Sequence, residues 1–458
     1  MVKISIITRA YNVENYIEQC ILSVINQTLS DFEYFVVDNG STDNTGKLIE
    51  KIASSDKRIK YVKLERNYNF SSMELLVREG SGEFFAMLDS DDWLEPNFFE
   101  ELYNNTKAHN LDIGLGGSKF HIVQNGKVAY RKSEFCGIIP KNEFSNAFRY
   151  IHQFFRPIWG KIFASSIVKE AWDHIQKKRP SFLSYGGDTY TCFELLNYAN
   201  GIFLSDKVLH NYRIHPESGS YKYSSERFKS DIYLFFHEES FLKQFGPISE
   251  VNRKFLFLVY FSAIKDTIRV LYTTNISISE KAIELNEIFN HELTNKLLSN
   301  YRSVDTQNFI INIFNLALKI DEEFAEEKNK LLLTIIGIEP ILSQTISNPS
   351  FIKKYKELVI LVFNHNYNKS LELIIHDLSE EVNGEELFID SLLNLAIKLA
   401  ALENKPDTFI WLHELLFNYL FERNRLDEAL LILHDLEEML PDNSEIRKFK
   451  EYINKYIN

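Results

Sequence analysis

Apolar and polar positions along the first hundred residues follow two alternating rhythms. Residues 2–8 (Val-Lys-Ile-Ser-Ile-Ile-Thr) read as a strand, and Asn12 is placed to cap a helix with Ile17, Ile21, Val24 and Ile25 on one face. Phe32 to Asp38 is a second strand, ending in Asn39-Gly40-Ser41-Thr42-Asp43; Ser41 or Thr42 is the expected cap of a helix carrying Leu48, Ile49 and Ile52 inward. Ile59 to Leu64 is a third strand and Leu75 to Glu79 part of a helix. The fourth strand, Phe84-Phe85-Ala86-Met87-Leu88, has no polar alternation, as suits a strand covered on both faces. Pro96 then opens a helical pattern through Phe98, Phe99, Leu102 and Tyr103. Strand and helix in alternation predict a parallel, doubly wound α/β sheet.

From about residue 112 the rhythm changes. Phe120 to Gln124 and Lys127 to Tyr130 flank Asn125-Gly126, a hairpin signal. Ile158 to Phe163 precedes a short helix, Ser184-Tyr185-Gly186-Gly187-Asp188 precedes another, and Val208 to His215 reads as a strand. Beyond about residue 226 the pattern is helical. Phe409 to Leu420, then Arg425 to Leu436 and Pro441-Asp442-Asn443, resemble a tetratricopeptide repeat, with a weaker copy at Tyr367-Asn368-Lys369-Ser370-Leu371. Two domains follow, residues 1–225 and an all-α region, residues 226–458.

Composition narrows this picture. A chain of 458 residues, 45% hydrophobic and 14% aromatic, fills more than one core. A net charge of −13 argues against general nucleic-acid binding, which needs a basic surface. Three cysteines (Cys20, Cys136, Cys192) show neither pairing nor metal spacing, which fits a reducing compartment. The N-terminus enters a strand at once, and the longest apolar stretch, Phe255 to Ile264, is too short to span a bilayer. The expectation is a cytoplasmic protein, with room for peripheral association at the inner face of the membrane and for self-association through the helices.

Candidate chemistry gathers at the strand ends. Ligands of open α/β sheets bind beyond the carboxyl ends of the strands, where Thr8 to Asn12, Asp38 to Ser41 and Asp89 to Asp91 all emerge. Asp89 and Asp91, one residue apart, suit a shared hard divalent cation that in turn holds a diphosphate; a solvated acidic turn is the plainer alternative.

These pieces in order resemble glycosyltransferase family 2, inverting enzymes of the GT-A (nucleotide-diphospho-sugar transferase) fold. The resemblance covers about the first 225 residues. It rests on Ile6-Ile7-Thr8-Arg9-Ala10-Tyr11-Asn12, Ser23-Val24-Ile25-Asn26-Gln27-Thr28, Val36-Val37-Asp38-Asn39-Gly40-Ser41-Thr42-Asp43, and Gly82-Glu83-Phe84 leading into Asp89-Ser90-Asp91-Asp92. It implies a doubly wound mixed sheet and a nucleotide-sugar donor, a UDP-sugar by preference. It further implies a glycan, lipid-linked or protein acceptor, and hexosyl or N-acetylhexosaminyl transfer. Thr8, Ala10, Tyr11, Asn12, Asp38, Asp89 and Ser90 would contact the nucleotide sugar, Asp38 through the base. Asp91 of the DXD motif would bind Mn²⁺ or Mg²⁺ with His215 as a third ligand, and Asp188 would be the catalytic base.

The departures are as informative. Gly187 stands where relatives often carry Glu, Asn39 where many have a second Asp, and Asn67 to Glu79 lacks the family's Ala-Arg-Asn signature. Arg66 or Arg78 is then a candidate diphosphate contact, Arg213 a candidate phosphate contact, and Trp159 and Lys161 match a segment near the acceptor cleft. These departures sustain a rival reading, a degenerate sugar-nucleotide-binding scaffold acting through its helices. A sugar-phosphate nucleotidyltransferase is disfavoured, because Arg9-Ala10-Tyr11-Asn12 has no glycine to cradle a triphosphate.

Overall fold

Ten strands of the described residues form one mixed sheet in the computed structural model. The described residues are 2–68, 72–123, 126–183, 185–215, 222–300, 366–379 and 389–422, with isolated positions between 357 and 436. Four parallel strands make one half: β1 (Ile4–Ala10), β2 (Phe32–Asp38), β3 (Ile59–Lys63) and β4 (Phe84–Met87), in the order β3-β2-β1-β4. All seven residues of β2 are buried, because helices cover both faces. The helices of this half are α1 (Ile17–Ile25), α2 (Thr45–Ala53) and α3 (Ser72–Glu79).

The other half breaks the parallel run. It contains β5 (Trp93–Leu94), α4 (Phe98–Ala108), β6 (Ile113–Ile122), β7 (Val128–Arg131), β8 (Gly137–Pro140) and α5 (Phe144–Phe155). It continues with β9 (Lys161–Ala164), α6 (Ser165–Lys178), α7 (Gly187–Tyr198) and β10 (Gly201–Ile214). β9 is antiparallel to both β4 and β6, β10 lies parallel to β6, and β5 closes the edge antiparallel to β10. β7 and β8 pair antiparallel with β6 and β10. Thus the sheet is mixed and doubly wound. Register shifts between Leu204 and His210 mark bulges that re-aim the last turn of β10 towards the strand ends. The hairpin predicted at Asn125-Gly126 pairs β6 with β7, although Asn125 itself lies outside the described residues.

Two expected caps are displaced. Asn12 has φ 51, a left-handed conformation that asparagine tolerates, so it turns the chain and α1 starts at Ile17. Ser41 and Thr42 are likewise held in a turn, and α2 starts after Asn44, where Asp43 Oδ1 accepts from the Thr45 N–H at 3.0 Å.

The first compact unit is Met1–Leu256, past the boundary expected at residue 225. The reason is aromatic. In α8 (Arg227–Lys243), Phe241 packs on Phe148 and Phe193, and Glu238 meets His152 at 3.1 Å in the interior. The second unit, Phe257–Asn458, is helical throughout its described residues. α9 (Glu250–Thr273) leads into it, followed by α10 (Ile278–Asn290), with a Ser277–Glu280 capping box, and α11 (Glu292–Asn300). Then come α12 (Tyr367–Ser379), α13 (Ile389–Leu402) and α14 (Pro406–Glu422), each packed on the next. α14 contains the first helix of the predicted repeat; most of Arg425 to Leu436, and the turn at Pro441, lie outside the described residues. No helix among the described residues is long and apolar enough to cross a membrane.

Candidate active site

Asp89, Asp91 and Asp92 leave the end of β4 in one tight turn, and a carboxylate oxygen from each lies within 4.8 Å of the others. Solvent reaches Asp89, yet protein atoms surround it. Its carboxyl is pushed well above the usual range, first by burial and then by the charges of Asp92, Asp91 and Asp188, with Arg9 opposing. Asp92 is fully buried and raised likewise, by burial and by Asp91. Ser90 is buried between them.

The end of β10 is strapped over this turn. Arg213 donates its backbone N–H to Asp92 Oδ1 at 2.8 Å, its guanidinium to the Asp91 carbonyl, and to Gln19 Oε1 at 2.7 Å. The guanidinium lies over the rings of Tyr16 (4.4 Å) and Trp93 (4.8 Å). Arg213 is therefore a clasp on the acidic turn. His215 Nε2 sits 2.8 Å from Asp91 Oδ2, with its ring stacked on Tyr16.

The donor set fits a hard divalent cation. Cis oxygens around Mg²⁺ or Mn²⁺ stand about 3 Å apart and trans oxygens about 4.2 Å, so carboxylates within 4.8 Å need little movement. An imidazole beside carboxylates suits Mn²⁺. The buried Asp92 Oδ2 has no hydrogen-bond partner among the described residues, and the charges of Asp92 and Asp91 add to the burial that raises Asp89; a cation would relieve both.

Asp188 stands in the first turn of α7, after Gly186 (φ 75). Gly186 is the cap, and Asp188 lies inside the first turn. It too is deep yet reached by solvent. Burial raises its carboxyl, opposed by a hydrogen bond from the Ile158 N–H and by the charges of Lys161, Arg179 and Arg9. Lys161 is fully buried and donates to the carbonyls of Pro157 (2.6 Å) and Trp159 (2.8 Å), on either side of Ile158. Burial brings its ammonium down to about 8. A Cβ on Gly187 would stand 2.1 Å from the Arg179 guanidinium, which donates to the Leu183 carbonyl at 3.0 Å. The space a larger residue would fill at 187 is therefore taken by Arg179.

The sheet-end residues on the other flank divide. Tyr11 is exposed and Asn12 lies at the surface, where its Oδ1 accepts from the Thr42 N–H at 2.8 Å. Ala10 is buried, and its carbonyl accepts from the Asn39 N–H at 2.8 Å. Two residues expected at the nucleotide sugar are engaged within the fold. Thr8 is fully buried, donating to the Leu88 carbonyl (2.9 Å) and accepting from the Tyr34 hydroxyl (2.8 Å), so it ties β1 to the acidic turn rather than facing a ligand. Asp38 is 1% exposed and accepts from the Ser41 N–H at 2.9 Å, so it braces the turn after β2. Asn39 locks the neighbouring loop through Asn67 and Tyr68. Arg9, which acts on both Asp89 and Asp188, was missed; a cation at a strand end beside two acidic motifs was its signal.

Residues 5–173 match the family model described as glycosyl transferase family 2, so the first unit carries a domain of that family. The chain is 28% identical over 229 residues to glycosyltransferase GlyA of Streptococcus pneumoniae serotype 4, covering 47% of this chain and 31% of that protein. It is 37% identical over 97 residues to the chondroitin synthase of Pasteurella multocida (strain Pm70), covering 21% of this chain and 10% of that one. In both cases the chain spans less than a third of its relative's length. A structural likeness to residues 1–349 of Staphylococcus aureus TarS in complex with UDP-GlcNAc has a TM-score of 0.42 at 19% identity, covering 78% of this chain and 91% of that one.

Proposed function

We propose that this family 2 domain moves a sugar from a nucleotide sugar, a UDP-sugar, to an acceptor hydroxyl with inversion at the anomeric carbon. One observation carries the reading. Asp188, from α7, is near enough to the β4 acidic turn for its charge to raise the Asp89 carboxyl, and Arg9 acts on both. Carboxylates distant in sequence are thus close enough to feel each other's charge, which supports a donor site and a base acting together.

The chemistry follows from the residues. An acceptor hydroxyl becomes a competent nucleophile as it loses its proton, and Asp188 Oδ takes it. Burial lifts that carboxyl towards neutral pH while Ile158 and Lys161 keep the anion accessible. The acceptor oxygen then bonds to the anomeric carbon, the bond from that carbon to the diphosphate breaks, and UDP leaves with the electron pair. Asp91, Asp89 and His215 would hold Mn²⁺ or Mg²⁺, which when bound neutralises charge on the departing diphosphate. Tyr11 and Asn12, beside the turn that Asp38 braces, form the wall on the nucleotide side.

The test is UDP release by the full chain with Mn²⁺ and a panel of nucleotide sugars and acceptors. Asp188→Asn should lower kcat by about 10²- to 10⁴-fold and leave UDP affinity unchanged. UDP release that this substitution leaves intact would remove the base assignment. Nucleotide binding without turnover across the panel would instead favour the scaffold reading.

A further inference from the structure

Arg131, at the end of β7, is a half-buried cation without a counter-ion among the described residues. Its Nη1 has no hydrogen-bond partner, and among those residues its guanidinium makes no ion pair. It lies over the rings of Phe120 (5.0 Å) and Trp159 (5.6 Å). The guanidinium of Arg156, which is exposed, repels it. Burial, with that repulsion, lowers the Arg131 group to about 10. Ring faces attract a guanidinium but do not replace an anion, and enclosing Nη1 without a partner is costly.

The place of this pair matters. Arg156 begins the segment that positions Asp188: its carbonyl accepts from Thr189 Oγ1 at 3.0 Å, and two residues later Ile158 donates to Asp188. On the other side Trp159 stacks on Tyr212 (4.9 Å) and on His210 (4.4 Å), which stands 3.3 Å from Asp92. Phe120 and Tyr212 are half-buried and meet edge to face at 5.4 Å. An aromatic floor with two guanidiniums that make no ion pair among the described residues therefore runs between the acidic turn and the proposed base, where an acceptor would lie.

We infer that Arg131 and Arg156 form an anion subsite for the acceptor, so that the acceptor is a glycan or polyol chain bearing phosphate or carboxylate groups. The inference rests on the glycosyltransferase reading. Planar guanidinium groups bind either anion through paired N–H donors, and their stacking on Phe120 and Trp159 holds Arg131 ready for it. The half-buried rings suit the apolar faces of the same chain. The overall charge of −13 makes a local excess of positive charge here the more selective.

The experiment uses the full chain with UDP and Mn²⁺ bound, so that the diphosphate site is filled. Calorimetry then measures four probes: a glycerol phosphate oligomer, glycerol, a uronic-acid tetrasaccharide, and its carboxyl-reduced form. The expected result is that one anionic probe binds at least tenfold more tightly than its neutral partner, and the arm that responds tells phosphate from carboxylate. Arg131→Met, which keeps packing on the rings, should abolish that preference, and Arg131→Lys should restore part of it. Arg156→Met, at an exposed position that folding tolerates, should weaken the preferred probe about tenfold, one charge-assisted hydrogen bond. UDP affinity should stay within twofold in every variant. Equal affinity for charged and neutral probes, or a preference unchanged in Arg156→Met, would overturn the subsite while leaving the donor reading in place. Failure of the wild type to bind UDP would instead fall on the donor reading. The anion preference is then measured without nucleotide on the same variants, and the same results support or overturn the subsite.

Discussion

Replacing Lys161 by Met separates holding the base from holding the fold. The Lys161 ammonium is buried, and its pKa falls from 10.5 to about 8. At about 1.4 kcal/mol per unit, keeping it charged at neutral pH costs about 3 kcal/mol. The sign follows from linkage. Between pH 8 and 10.5 the unfolded chain binds more protons at this site, so stability rises with pH through that window and the cost is fully present below it. Met removes that cost. It also leaves the Pro157 and Trp159 carbonyls without their donor, at about 1–3 kcal/mol each. The two effects offset each other to within about 3 kcal/mol, and the melting temperature should move by less than about 12 °C for a unit of this size. Catalysis has no such compensation. The Ile158 N–H loses its fixed aim, and Asp188 loses a cation that opposes its upward shift. We therefore expect kcat for UDP release to fall at least tenfold, and the acid limb of its pH profile to move to higher pH. Unchanged kcat at unchanged pH optimum, or a collapse in melting temperature that accounts for the lost activity, would refute the reasoning.

Other outcomes follow from the same geometry. Mn²⁺ at a hundred times its dissociation constant should stabilise the first unit by about 2.7 kcal/mol, read as a rise in melting temperature that chelation reverses and that Asp91→Asn lacks. Gly40→Ala should destabilise by at least about 1–3 kcal/mol in denaturant unfolding, because φ is 78° and a Cβ would stand 2.4 Å from the Arg66 backbone. Arg213→Ala should raise the metal concentration needed for half activity, since it removes the clasp on the Asp91 and Asp92 turn. Thr8→Val should cost about 1–3 kcal/mol of stability with nucleotide affinity unchanged, as expected of a hydroxyl buried between Leu88 and Tyr34.

Local chemistry determined much of this protein. An apolar run without alternation marked β4 as an interior strand, and the alternation of strand and helix set β1 and β2 in the same parallel sheet. The same run located the acidic turn and, through its two glycines, the loop before Asp188. What period and composition do not encode is which side of a strand end faces the cleft. Thr8 and Asp38 read as ligands from the sequence, and only the fold shows the Thr8 hydroxyl bonded to Leu88 and Asp38 Oδ1 bonded to Ser41. Nor does sequence spacing bring Asp91 to His215, 124 residues on, or Ile158 to Asp188. Only the antiparallel insertion of β9 and the bulges of β10 achieve those meetings. Electrostatic environment is decided at the same level. Arg9, Lys161 and Arg131 are ordinary cations in the chain, and become a bridge, a clamp and an unpaired charge only through what the fold packs around them.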